Sequence, residues 1–129
     1  MIAEAILCLA LNVYYEARGE SYLGQKAVAH VTINRTKDDN YPDNICEVVY
    51  QPQQFSWTKK YQPRPKGKAW EQAVFTAERA YVGVTKDPTG GATHFHATEV
   101  RPNWSANLKK VRVINNHVFY KKSPKGIKK

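Results

Sequence analysis

The chain has 129 residues, 42% hydrophobic and 24% charged, which fits one domain with one modest core and reads as a globular chain and not a disordered one. Twenty Lys and Arg against eleven Asp and Glu leave a net charge of +9. Such a charge serves solubility or favours an anionic partner, either nucleic acid or an acidic polymer such as a bacterial wall.

Residues 2–16 read as a helix. Ile2, Ile6, Leu9 and Val13 recur at helical spacing and make one apolar stripe. Extending the stripe by three residues lands on Glu16, and by four more on Glu20. Gly19 ends the helix or opens a turn, so the stripe is secure at Glu16 and no longer secure at Glu20. Ser21 can cap a second helix over 22–35. DDNYPDN is a loop, and a short helix is expected around Ile45, Val48 and Val49. The proline-rich stretch 51–67 is irregular. A third long helix is expected over 68–84, then a DPTGG turn. ATHFHAT alternates like a short strand, and KVRVINNHVFYKK reads as a hairpin with Asn115-Asn116 at its turn. The expected fold is α+β, a helical core with a small antiparallel β element toward the C-terminus. One domain over 1–120 is followed by a basic tail at 121–129, read as a frayed, solvated end.

Two cysteines, Cys8 and Cys46, are too few for a disulfide framework. They could pair if their segments meet, but the reading favoured here is two small buried apolar side chains. The first segment lacks the positive n-region and the cleavage site of a signal peptide, and Glu4 interrupts it. No apolar run is long enough to span a membrane, so no membrane insertion is expected. A monomer is expected.

A carboxyl on the apolar side of a helix end is partly desolvated, which raises its pKa. A carboxylic acid still protonated near neutral pH can donate a proton, as glycosidic bond cleavage requires. The competing reading pairs Glu16 with Arg18 or Lys26 at the surface.

YYEARGESYLGQKAVAHVTINR resembles the opening signature of the SleB/CwlJ family of cell-wall hydrolases, found in spore germination and phage lysis cassettes. YPDNICEVVYQPQQFSW, DPTGGATHFHA and NWSANLKKVRVINNHVFY continue the resemblance in order. It implies a lysozyme-like α+β domain that cuts the peptidoglycan glycan strand, by lytic transglycosylation in SleB-type members. It also implies that Glu16 is the general acid. Glu20 is expected to shape or position the site. If it faces the cleft instead, a hydrolase using both acids is the alternative, and an anionic pair would help raise the pKa of Glu16.

The residues expected to line a sugar-binding cleft are Tyr15, Gln54, Phe55, Trp57, Thr93, His94, His96 and Trp104. Thr93, His94 and His96 are read on one side of the strand and Phe95 on the other. Phe55, Phe95 and Trp57 have core filling as their alternative. No cofactor is expected. His94 and His96, with His117 arriving from the hairpin, offer a zinc amidase as a further alternative. A non-enzymatic basic module for wall or nucleic acid is the last. Specific nucleic-acid recognition is not expected, because the basic residues do not interleave with aromatics. The setting expected is a phage lysin made without a signal peptide and let out by a holin, with a spore-cortex enzyme as alternative.

Overall fold

The structure, a computed structural model, describes residues 2–123. Four helices come first: α1 (Glu4–Ala17), α2 (Tyr22–Thr36), α3 (Ile45–Val49) and α4 (Gly67–Tyr81). Three strands follow: β1 (His94–Ala97), β2 (Lys109–Ile114) and β3 (His117–Lys121). The strands form one antiparallel sheet in the order β1-β3-β2. The α+β expectation holds. The basic tail lies mostly outside the described residues, and β3 itself runs to Lys121.

Helix α1 forms where the apolar stripe predicts it. Leu9 and Val13 are fully buried, whereas Ile2 at the start of the stripe is exposed and precedes the helix. Gly19, at φ 89°, takes the left-handed conformation that lets the chain leave the helix. The Ser21 side chain accepts from the Gly24 amide and caps α2 as expected. Helix α2 is the central element: Ala29 packs toward the other helices, while Ala27, Val28 and Val31 pack toward the sheet. Burial on both sides explains why its β-branched VTI run is tolerated.

Ala73, Ala77 and Ala80 give α4 a narrow face for packing with α1. Helix α4 ends at Tyr81 and not at Val84. Gly83 adopts φ 87°, and the Val84 amide turns back to the Arg79 carbonyl.

Cys8 and Cys46 form a disulfide between α1 and α3, which corrects the reading of two unpaired apolar side chains. The packing of α3 on α1 brings their Cα atoms to 5.3 Å, within bridging distance.

Candidate active site

Glu16 sits in the last turn of α1, where the buried face of the helix reaches the edge of the core. Burial raises its pKa to about 7, and the charge of Arg35 pulls the other way. The carboxyl is therefore held protonated up to near-neutral pH by desolvation and not by a second carboxylate. Glu20 exerts no such effect on it, so an anionic pair with Glu20 does not account for the shift. The sequence neighbours that could have neutralised Glu16 are engaged elsewhere. Arg18 donates to the Tyr14 hydroxyl at 2.7 Å and lies over the Tyr14 ring, and Lys26 lies over Tyr22.

Arg35 is the cation of the site, and sequence reasoning left it without a role. It closes α2 as a buried side chain, 5% exposed. Its Nε donates to the Thr93 carbonyl at 2.8 Å and its Nη1 to Gln54 Oε1 at 3.3 Å. The guanidinium also lies over the rings of Tyr41 and Phe55. A basic residue in the last turn of a helix has an ordinary surface reading, so only the fold shows that this one is buried.

Two aromatic groups are assembled by the fold. In the first, Tyr15 stacks on Trp57 with centroids 4.7 Å apart, and Tyr50 meets Trp57 edge-on. Trp57 Nε1 donates to the buried Asn12 at 2.7 Å, which fixes the indole against α1. In the second, Trp104 packs on His94, His96 and Tyr120 across the outer sheet face. His96 Nδ1 donates to the Ala97 carbonyl at 2.7 Å, and its Nε2 lies 2.9 Å from Tyr120 Oη. Tyr41 touches both His94 and Arg35 and joins the second group to the guanidinium.

Several expected cleft residues are placed otherwise. Phe55 is 3% exposed and packs against Phe95, so it fills core and does not face a cleft. Thr93 is buried one residue before β1: its carbonyl is taken by Arg35, and its hydroxyl lies 3.0 Å from His94 Nδ1. Gln54 is exposed as a residue, and its side-chain oxygen holds Arg35. Tyr15, Trp57, His94, His96 and Trp104 are each half-buried, as cleft-lining side chains would be.

The histidine trio does not assemble. His117 pairs with Ala97 in the register, which puts it on the inner face with Phe95, opposite His94 and His96. Among the described residues no group of three or more His, Cys, Asp or Glu side chains is placed to hold a metal ion. Glu20 turns its carboxyl to the hairpin, accepting from Asn116. A separate cavity of about 670 Å³, lined in part by His30, Lys37, Tyr81 and Asp87, contains none of these groups. Among the described residues no helix is long and apolar enough to cross a membrane.

The chain is similar to known proteins in sequence and in fold. A family model described as cell wall hydrolase matches residues 19–120, beginning just after Glu16. The spore cortex-lytic enzyme of Halalkalibacterium halodurans is 34% identical over 117 residues, covering 88% of this chain and 34% of that protein. The enzyme of the same name from Bacillus cereus is 31% identical over 119 residues, covering 90% and 44% respectively. The chain thus spans less than half the length of these relatives.

Among solved structures, the catalytic domain of the germination-specific lytic transglycosylase SleB from Bacillus anthracis superposes with a TM-score of 0.74 at 28% identity. The match covers 93% of this chain and 97% of that one. The SleB catalytic domain from Bacillus cereus gives 0.69 at 27% identity, covering 94% and 93%. The fold is therefore the lysozyme-like arrangement of those catalytic domains, and the protein belongs to the cell wall hydrolase family.

Proposed function

We propose that this domain cleaves the peptidoglycan glycan strand between N-acetylmuramic acid and N-acetylglucosamine by lytic transglycosylation, with Glu16 as the general acid and then the general base. The observation that carries the reading is the carboxyl of Glu16, kept protonated to about pH 7 by burial at the end of a core helix. The likeness to SleB catalytic domains supports the same substrate class.

Protonated Glu16 donates its proton to the glycosidic oxygen as the bond from the muramic anomeric carbon to that oxygen breaks. Positive charge develops at the anomeric carbon, and Glu16 becomes a carboxylate. Arg35, whose charge already favours ionised Glu16, stabilises that carboxylate. The 6-hydroxyl of the same muramic residue then attacks the anomeric carbon, and its proton passes to Glu16. The product is a 1,6-anhydro end and the acid is regenerated. One carboxyl serves both steps, where most glycosidases use two. In this reading the half-buried faces of Trp57 and Trp104, with His94 and His96, hold the sugar rings.

Digestion of purified peptidoglycan followed by mass analysis of the products tests this. Anhydro-muramic ends are the expected result. Reducing muramic ends would mean hydrolysis, and free stem peptides would overturn glycan cleavage altogether. Glu16→Gln keeps the shape and removes the acid, so cleavage should fall by at least a thousand-fold. For the setting, we favour a phage lysin. It should digest vegetative walls as readily as spore cortex, and activity confined to cortex would overturn that choice.

A further inference from the structure

The chain leaves α1 through Gly19 and meets, at Glu20 and Ser21, a turn that comes from the far end of the sequence. Glu20 Oε1 accepts from the Asn116 backbone amide at 3.2 Å, and Oε2 accepts from Asn116 Nδ2 at 3.1 Å, across 96 residues of chain. Next to it, Asn115 Oδ1 accepts from the Ser21 amide at 3.2 Å and from Ser21 Oγ at 2.6 Å. Asn115 holds φ 51°, the left-handed conformation that a two-residue hairpin turn demands and Asn tolerates. Gly24 lies beneath: a Cβ there would come within 2.6 Å of Asn115 Oδ1. The Asn116 carbonyl also accepts from the Thr98 amide just past β1. The turn is therefore fastened on one side to the α1–α2 junction and on the other to the strand that carries His94 and His96.

We infer that Glu20 is a positioning residue and not a second reacting carboxyl: its grip on Asn116, with that of Ser21 on Asn115, fixes the sheet wall relative to Glu16. This rests on the reading of Glu16 given above. Both Glu20 oxygens already accept from N–H donors, and its charge is not among those that act on Glu16. A carboxylate so engaged fits a fixed anchor better than a group that exchanges protons with substrate. The role has catalytic weight because a displacement of about 1 Å between a reacting group and its substrate can cost about a hundred-fold in rate. Releasing the turn frees the segment that follows Glu16 and the end of β1 together.

The test is steady-state cleavage of soluble glycan strands by Glu20→Gln, Glu20→Ala, Asn116→Ala and the Glu20→Ala/Asn116→Ala double variant, with pH profiles. Glu20→Gln should keep most of kcat, since its oxygen can still accept from the Asn116 amide while the Asn116 side chain turns to accept from its nitrogen. Glu20→Ala and Asn116→Ala should each lower kcat by 10- to 100-fold, with the alkaline limb of the profile unmoved. The double variant should be no worse than the poorer single. Loss of kcat in Glu20→Gln as deep as in Glu16→Gln, with Asn116→Ala unaffected, would overturn the inference. So would lowered stability in both alanine variants with kcat intact.

If Glu20→Ala does not fold, Glu20→Gln and Asn116→Ala carry the test. Wild-type protein that leaves glycan uncut would refute the function proposed above. The grip would then be read from coupling between Glu20 and Asn116 in a thermal-stability double-mutant cycle, where strict additivity would overturn it.

Discussion

Glu16→Gln should make the protein more stable as it makes it inactive, and only above the acidic range. Glu16 has an ordinary pKa of 4.5 and is raised to about 7 by burial in the folded chain. Below about pH 4.5 the carboxyl is protonated in both states and makes no difference. Between pH 4.5 and 7 the unfolded chain releases the proton while the folded chain keeps it, so stability falls as pH rises. Above pH 7 both states are ionised and the loss levels off. A separation of about 2.5 pKa units corresponds to about 3 kcal/mol. Glutamine carries no titrating proton and escapes this loss. The melting temperature of Glu16→Gln relative to wild type should therefore climb by roughly 10 °C between pH 4 and pH 8. Thermal denaturation of both proteins across that range, followed by circular dichroism, is the assay. Parallel curves would refute the argument, because they would mean that Glu16 titrates alike in both states and is not held as an acid by burial.

Arg35→Met removes the charge that favours ionised Glu16, so the alkaline limb of the kcat profile should move to higher pH; an unmoved limb would show that Arg35 does not reach the acid. Reduction of the Cys8–Cys46 disulfide opens a link across 38 residues, which loop entropy values at about 4 kcal/mol. The melting temperature should drop by roughly 10 °C or more on adding reductant, and a drop of only a degree or two would contradict this. Gly24→Ala forces a Cβ against Asn115 Oδ1, so it should cost about 1–3 kcal/mol in denaturant unfolding, and a neutral result would show that the turn yields easily.

Much of the helical half was legible because helix periodicity is local. Leu9 and Val13 mark the buried face of α1, and the next step along that face is Glu16, whose raised pKa agrees with the reading. Ser21 caps its helix through its side-chain oxygen, a signal read within three residues. The hairpin was also legible, since Asn115-Asn116 falls between two alternating runs. Phe55 was misread because an aromatic residue in an irregular segment has no periodicity to say which way it points. Thr93 was harder to place because it lies just before β1, where strand alternation no longer says which way a side chain points.

The sequence by itself determined where the helices lie, that an acid ends the buried stripe of the first one, and that a hairpin closes the chain. These follow from spacings of two to four residues, which secondary structure converts directly into faces. Only the tertiary structure decided what surrounds the acid. Arg35 comes from another helix to oppose the effect of burial, Glu20 finds its partners 96 residues away, and Cys8 meets Cys46. His117 faces away from His94 and His96 because strand register assigns it to the inner face. Each of these is a meeting of distant segments, set by how elements pack and pair and not by any pattern within one of them.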